Sequence, residues 1–256
     1  MGLENRIVIA VRSTAPWSNG SLGKIRKQRG SLNPAFRLKR SVMRHVKNWN
    51  KVLPIPYWKF REELRQIAET ALGELPGVEI IKGGGAIRRE LRRKTPGWLV
   101  PVDDDDWFLP ELVAHLQSWP RGYSVWQAVV LGRKLRFHGC KRVPETNSYA
   151  ARKSFLRVRV RRPRSQMVFL CRHSKGTRGY RWRCHKSHRT PAVLGVTNRH
   201  MASITTMDSV FRAPPDRRGF KRALPGFIAG YENCIEQGYG SPHVEAVLDL
   251  HRRLLS

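Results

Sequence analysis

The sequence predicts an α/β fold with a mixed, mainly parallel central sheet and flanking helices. Two short apolar runs, Arg6–Val11 and Trp98–Val102, are typical of strands buried on both faces. Between them, apolar residues from Phe60 to Leu75 recur at the spacing of one helix face. Strands that alternate with helices in this way indicate parallel pairing. Of the 256 residues, 40% are hydrophobic, which is enough for a packed core and excludes a wholly disordered basic chain.

The first half of the chain supplies most of the predicted sheet. After the first strand, residues 13–20 have the composition of a loop. Asn33 and Pro34 then provide an N-cap and a first-turn proline for a basic helix that reaches about Asn50. The next helix contains Phe60, Leu64, Ile67, Ala68, Ala71, Leu72 and Leu75 and stops at Pro76 and Gly77. The further elements are a strand at Val78–Ile81, a turn at Gly83–Gly85, a short helix at Ile87–Arg93, the strand at Trp98–Val102 and a helix that begins at Pro110.

The second half is basic and predicts shorter, antiparallel strands. These lie at Val125–Leu131 and Lys134–His138, and the alternating Arg157–Arg161 run is typical of an edge strand. Gly and Arg dominate Arg172–Arg189, which predicts a loop. An amphipathic helix closes the chain with Val244, Val247, Leu248, His251, Leu254 and Leu255 on its apolar face.

The charge is large and unevenly placed. The chain has 49 Lys and Arg against 19 Asp and Glu, which gives a formal charge of +30. No acidic residue occurs between Glu145 and Asp208, whereas residues 151–200 contain fifteen Lys and Arg and residues 24–47 contain nine. Such a balance favours a polyanionic partner over a merely solvated positive face.

Targeting signals are weak in this sequence. No apolar run reaches the roughly 18 residues of a membrane-spanning helix, so we expect no transmembrane segment. The N-terminal apolar run is too short for a signal peptide, and the four cysteines are scattered, so we expect reduced thiols. These features predict a cytoplasmic protein.

Four consecutive carboxylates, Asp103–Asp106, follow the second buried strand directly. Like charges this close repel one another unless a cation lies between them, and carboxylate oxygens favour magnesium, manganese or calcium. Ligands of α/β sheets bind beyond the carboxyl ends of the strands, which favours a metal site here. The alternative is a solvated acidic loop that caps the helix beginning near Pro110.

Three segments resemble those of GT-A fold glycosyltransferases, in particular a rhamnosyltransferase-like branch. Val100–Pro110 looks like the DXD segment, Asn147–Arg152 is similar to an Asn-Ser-Tyr-Ala element, and Thr190–Ser203 to a later histidine-containing segment. The resemblance implies a single GT-A-like domain over residues 1–256. Residues 1–122 would be its nucleotide-sugar-binding half and residues 123–256 its acceptor-binding half.

The resemblance also implies residue roles. Asp104, Asp105 and Asp106 would hold Mn²⁺ or Mg²⁺. Asp103 would face the ribose or base of the nucleotide, and Asp104 would also contact the nucleotide-sugar donor. Arg12 and Ser13 would lie against the nucleotide of the donor, expected to be a UDP-sugar. His200 would complete the metal shell, the alternative being a surface histidine in a basic loop. The sequence departs from the family in having no obvious acidic base between Glu145 and Asp208, so the catalytic base is assigned to Glu145, with Asp208 or one of the aspartates as alternatives.

A second possible metal site lies further along the chain. Cys171, His173, Cys184 and His188 form a ligand set that a structural Zn²⁺ would accept. Their spacing is not that of a zinc ribbon or finger, so incidental cysteines and histidines in a loop are the preferred alternative.

One basic segment is interleaved with aromatic residues. Arg178, Arg181 and Arg183 alternate with Tyr180 and Trp182, a pattern that can grip phosphates while stacking on bases. We therefore expect a nucleic-acid contact here.

Together these features predict a metal-dependent glycosyltransferase that moves a sugar from a nucleotide sugar to a hydroxyl on nucleic acid. A hydroxymethylated base in duplex DNA is the preferred acceptor, which would be flipped out of the stack. Because such bases are typical of bacteriophage DNA, we expect a viral origin and the cytoplasm of a host cell. One alternative is a cell-envelope or lipopolysaccharide glycosyltransferase at an anionic membrane. Another is a non-enzymatic zinc and nucleic-acid binding protein.

Overall fold

The computed structural model describes most of the predicted core of the chain. The residues described are 6–12, 44–83, 97–119, 123–139, 147, 149–152, 187–203 and 217–256. Helices and strands alternate over the first half of the chain, and further strands follow before two closing helices. The predicted mixed α/β class is therefore confirmed.

Five helices lie in these ranges. They are α1 (residues 44–52), α2 (Tyr57–Gly73), α3 (Glu111–Ser118), α4 (Arg217–Cys234) and α5 (Pro242–Arg252). A π-helical turn, Ile235–Tyr239, joins α4 to α5. At the start of α5, the side chain of Ser241 accepts a hydrogen bond from the backbone of Val244, and Pro242 occupies the first turn. None of the helices described is both long and apolar enough to cross a membrane.

Eight strands of the described residues form one mixed sheet. They are β1 (Ile7–Arg12), β2 (Val78–Gly83), β3 (Trp98–Asp103), β4 (Trp107–Phe108), β5 (Tyr123–Leu131), β6 (Arg136–Gly139), β7 (Tyr149–Arg152) and β8 (Ser187–Asn198). Their order is β2-β1-β3-β7-β5-β8-β4, and β6 pairs with β5. β1 pairs in parallel with β2 and β3, whereas β7 pairs antiparallel with β3 and β5, and β4 pairs antiparallel with β8.

The chain divides into two compact units. Unit 1 contains Met1–Thr14, Glu69–Val129 and Phe137–Thr197, and unit 2 contains Ala15–Ala68, Val130–Arg136 and Asn198–Ser256. Each unit therefore combines segments from both halves of the sequence. The division into a donor half and an acceptor half concerns ligands and stays a prediction.

The core of unit 1 is built on β1 and β3. Every residue from Ile7 to Val11 is at most 2% exposed, and Trp98, Val100 and Val102 are equally buried. Full burial on both faces is what a continuous apolar run predicts for a central parallel strand. The indole nitrogen of Trp98 donates to the carbonyl of Leu116, 3.0 Å away, and so ties β3 to α3.

The core of unit 2 is aromatic. Trp49 of α1 packs with its ring centroid 5.1 Å from that of Phe60 on α2 and 5.6 Å from that of Phe220 on α4. Its indole nitrogen donates to the carbonyl of Ile55, 2.8 Å away, and so has a partner despite full burial. Burial of these large rings supplies much of the hydrophobic stabilisation of the unit.

Helix α4 was not predicted from the sequence. Phe220, Leu224, Phe227 and Tyr231 are all buried at helical spacing, so the amphipathic pattern is present. Pro225 lies inside this helix, and the Pro225-Gly226 pair has the composition of a turn. Burial of the apolar stripe offsets the roughly 3 kcal/mol that an internal proline costs.

Two smaller expectations were wrong. Leu255 is 63% exposed, because α5 ends at Arg252 and the residues beyond it leave the helical phase. Strand β8 begins at Ser187, inside the segment expected to be a loop up to Arg189. The predicted elements at 87–93 and 157–161, and residues 33–43 of the first basic helix, lie outside the described residues.

Candidate functional site

The carboxyl ends of three parallel strands are in register in unit 1. Arg12 is the register partner of Gly83 on one side and of Asp103 on the other. The chain leaves β1 toward β2, on one side of the sheet, and leaves β3 toward the strands on the other side. Diverging connections open a crevice between two neighbouring parallel strands, where α/β sheets bind ligands. Arg12 and Asp103 lie at this position.

An ion pair joins the ends of β1 and β3. Arg12 Nη2 donates to Asp103 Oδ2 at 2.8 Å, with 39% of the arginine and 22% of the aspartate side chain exposed. Arg12 Nε is buried and has no hydrogen-bond partner among the residues described. The guanidinium is therefore anchored on one edge and keeps donor capacity for a ligand.

Asp103–Asp106 form a tight turn after β3. The backbone nitrogen of Asp106 donates to the carbonyl of Asp103, 3.2 Å away. Asp104 and Asp106 are only 5% and 6% exposed, whereas Asp103 and Asp105 are half-buried. Burying carboxylates without compensation is costly, so this environment favours a cation or dense hydrogen bonding.

Strand β4 anchors the other end of the turn. Trp107 and Phe108 are each 2% exposed and pair with Val196 and Gly195 of β8. This strand separates the aspartates from α3, whose N-cap is Pro110 without a side-chain cap. The alternative of a solvated helix-capping loop is therefore disfavoured, because two carboxylates are buried and none caps α3.

The aspartates fit one mode of divalent-ion binding. Mg²⁺ is usually held by one or two carboxylates together with substrate phosphates and waters. Asp104 and Asp106 supply two hard oxygen donors at the ligand-binding edge of the sheet. Within the described part of the chain, no group of three or more His, Cys, Asp or Glu side chains is arranged to hold a metal, and this mode does not require one.

His200 lies in unit 2 and is fully buried. The alternative of a surface histidine was therefore wrong. Its Nε2 is 3.2 Å from Arg61 Nη1, and a guanidinium can only donate, so Nε2 acts as the acceptor. A metal bound at Nε2 would have to replace Arg61. The role of His200 as a metal ligand stays a prediction.

Parts of all three segments that carry the family resemblance lie in unit 1, where they are adjacent. Asn147 accepts a hydrogen bond at its carbonyl from Trp126 Nε1 at 2.9 Å and donates its amide to Thr197 Oγ1 at 2.5 Å. It is 1% exposed and ties β5 to β8. A Cβ on Gly195 would lie 2.4 Å from the Asn147 carbonyl, so only glycine allows this approach. Sequence reasoning assigned no role to Asn147 or Gly195.

Several predicted site residues lie outside the described residues. They are Ser13, Glu145, Cys171, His173, Arg178, Tyr180, Arg181, Trp182, Arg183 and Cys184. His188 belongs to β8, and the zinc site it would share stays a prediction. Cys234 is a buried free thiol, and burial raises its pKa to about 11, so it is a poor nucleophile.

Comparisons with known proteins identify no relative. No protein-family model matches the chain, and no curated protein matches it. The resemblance to GT-A fold glycosyltransferases therefore rests on the segments of this chain alone.

Proposed function

We propose that the protein is a divalent-metal-dependent glycosyltransferase with a nucleotide-sugar donor and a nucleic-acid acceptor. The observation that carries the proposal is the burial of Asp104 and Asp106 at the carboxyl end of β3. They follow Asp103, which forms the ion pair with Arg12. A nucleoside diphosphate offers the complementary groups, namely an anionic diphosphate and a ribose with hydroxyl donors.

The residues divide the work of donor binding. Arg12 would contact the nucleotide with its remaining donors, and Asp103, held by Arg12, would accept hydrogen bonds from the ribose or base. Asp104 and Asp106 would hold Mn²⁺ or Mg²⁺, which when bound neutralises charge on the leaving diphosphate. A carboxylate, assigned to Glu145, would take the proton from the attacking hydroxyl.

The charge of the chain supports the choice of acceptor. A formal charge of +30 is far beyond what a donor diphosphate needs, and it favours a polyanion. A hydroxymethylated base in duplex DNA offers both the phosphates and a hydroxyl nucleophile. An enzyme that acts on a base must take it out of the stack.

A transfer assay tests the proposal. The protein is incubated with manganese, a panel of nucleotide sugars and hydroxymethylated duplex DNA, and sugar incorporation is measured. The double variant D104N/D106N is expected to lose at least about 100-fold in rate, as when a main source of transition-state charge stabilisation is removed. Glu111→Gln, an exposed acid in the first turn of α3, is the matched control and should retain full activity.

The proposal is refuted by either of two results. Transfer that continues unchanged after the metal is chelated would exclude the metal. A double variant that folds and remains as active as the control would exclude the aspartates.

A further inference from the structure

Six exposed lysines and arginines of unit 2 lie on α1, on α4 and on the turn between β5 and β6. On α1, Arg44, Lys47 and Lys51 are exposed and spaced i, i+3 and i+7, so they form a stripe along one side of the helix. The opposite side of α1 is buried through His45, Val46 and Trp49. The stripe therefore faces away from the aromatic core.

Helix α1 lies beside the first turns of α4. The His45 and Phe220 ring centroids are 5.0 Å apart, and those of Trp49 and Phe220 are 5.6 Å apart. Two residues after Phe220, Arg222 is exposed. Residues two apart on a helix point to opposite sides, so Arg222, like the stripe on α1, faces away from the aromatic core.

The turn between β5 and β6 packs against α4. A Cβ on Gly230 would lie 1.8 Å from the Gly132 carbonyl, and one on Gly226 would lie 3.2 Å from Arg133 Nε. Arg222 and Gly226 are one helical turn apart, so Arg133 lies next to Arg222. Lys134, the next residue of the turn, is also exposed.

We call these six residues the basic face: Arg44, Lys47, Lys51, Arg133, Lys134 and Arg222. None of them forms an ion pair or hydrogen bond through its side chain with another described residue. Some other cations of unit 2 are neutralised, since Arg65 pairs with Glu62 and Arg253 with Glu63. The basic face is therefore open for an external anion.

Four acidic residues of unit 2 lie toward the other end of α4. Glu232, Glu236, Glu245 and Asp249 line a cavity of about 380 Å³ between α4, the π-helical turn and α5, together with Arg252. Arg252 is occupied there, 3.0 Å from Glu232 and 3.2 Å from Asp249. A polyanion would be repelled from this end and attracted to the start of α4.

We propose that the basic face binds the phosphate backbone of a nucleic-acid duplex. Its cations lie on three elements and surround no apolar side chain suited to insertion into lipid. In the described part of the chain, Phe137 and Leu255 are the exposed large hydrophobic residues, and neither belongs to the face. A membrane-binding helix would need an apolar face in the interface, and that of α1 is buried in the core. The inference rests on the nucleic-acid acceptor of the proposed function.

Salt-dependent binding tests this surface. The variant K47Q/K51Q/R133Q and the control R65Q/K82Q/R252Q remove equal charge, but the control cations are all in exposed ion pairs. Binding to a duplex DNA of about 20 base pairs, two helical turns, is followed by fluorescence anisotropy over a salt series. The slope of log K against log salt should fall by about 0.9 for each phosphate that is no longer neutralised, so by about 2.7 in the first variant. In the control variant this slope should change by less than about 1, as expected from the loss of net charge alone.

The outcomes separate this inference from the proposed function. Equal slopes for both variants, or wild-type binding by the first, would overturn the basic face. Binding to vesicles rich in phosphatidylserine that requires the basic face would also overturn it, if binding to duplex DNA does not require that face. Stabilisation by a nucleotide sugar with manganese, measured on the same variants, reports on the donor site. If that stabilisation is absent while DNA binding follows the expected pattern, the proposed function fails and the basic face stands.

Discussion

At the scale of single residues, four chemically identical carboxylates occupy two environments. Asp103 is held by Arg12 and is partly open to solvent, whereas Asp104 and Asp106 are almost completely buried. The difference arises because the chain turns sharply after β3 and then enters β4, whose side chains are buried. Position within the turn therefore decides how far each of these carboxylates is exposed to solvent.

Substitution of Arg12 tests the donor side of the site. Arg12→Ala should weaken nucleotide-sugar binding about tenfold, or 1.4 kcal/mol, while lowering the unfolding free energy by about 1 kcal/mol or less. Arg12→Lys keeps the charge but loses the planar fork, so an intermediate affinity is expected. Calorimetric titration and denaturation measure the two effects.

The matched control is Arg6→Ala at the other end of β1, where Arg6 pairs with Glu79. If Arg12→Ala resembles Arg6→Ala in both measurements, Arg12 has only a structural role.

Two buried histidines predict a pH-dependent stability. Burial lowers the pKa of His45 to about 4. The pKa of His251 is lowered to about 3, mainly by burial and also by the nearby His200, while the hydrogen bond to Val247 opposes the shift. In the unfolded chain histidine takes up a proton below about pH 6.5. The unfolding free energy should thus be highest above that pH and should fall as the pH drops toward 4. The expected decrease is up to roughly 1.4 kcal/mol per pH unit for each histidine.

Urea denaturation at about pH 7 and about pH 5 measures this dependence. His251 packs among Phe60, Phe227 and Tyr231, so His251→Phe should fold and remove its share of the slope. An unchanged slope in His251→Phe would contradict the assignment.

At the scale of elements, glycines set how closely backbones approach. Helix α4 touches the turn between β5 and β6 at Gly132 and Gly230, and Gly132 itself has a φ of +147°. The backbone nitrogen of Arg199 also donates to the carbonyl of Leu131, 3.1 Å away. These contacts position the turn that carries Arg133 and Lys134.

Adding one methyl group at this contact should disrupt it. A Cβ at Gly230 would lie 1.8 Å from the Gly132 carbonyl oxygen, so the two backbones must separate. Gly230→Ala is expected to lower the unfolding free energy by about 3 kcal/mol or more. Gly73→Ala, whose Cβ would meet nothing within 4 Å, is the control and should be neutral or stabilising. Equal stabilities of the two variants in chemical denaturation would show that the contact is not tight.

At the scale of the whole molecule, the charge is compensated only locally. Ion pairs neutralise cations next to β1, on α2 and next to α5, while the basic face and the long basic segments of the sequence remain in excess. Self-repulsion at a charge of +30 opposes compaction, so an anionic partner should stabilise the fold as well as bind it.

Ligand linkage gives a prediction at this scale. A nucleotide sugar with manganese at 100 times its Kd should add about 2.7 kcal/mol to the unfolding free energy. For a chain of this length each kcal/mol raises Tm by roughly 2–4 °C, so an increase of several degrees is expected in a thermal melt. D104N/D106N should abolish the manganese-dependent part of the shift. An equal shift in that variant would place the metal elsewhere.

Much of the fold could be predicted because its signals are local. β1, β3, α2 and α5 follow from apolar runs and helical periodicity that a short window contains. The sequence also indicated the aspartates as candidate site residues, because they follow a predicted buried strand directly, whereas Arg12 became a candidate through the resemblance to GT-A fold glycosyltransferases. Helix α4 could not be predicted with equal ease, since Pro225-Gly226 is a turn signal locally and is overridden by the burial of Phe220, Phe227 and Tyr231.

By itself the sequence determined the α/β class, the positions of the buried strands and the unusual charge, because composition and periodicity carry these directly. Only the tertiary structure decided which residues meet. The register of β1 with β3 places Arg12 on Asp103, and the turn into β4 buries Asp104 and Asp106. Packing likewise puts Arg61 on His200 and brings α1, α4 and the Gly132 turn together. Such long-range contacts depend on strand register and helix packing, which no local pattern in the sequence specifies.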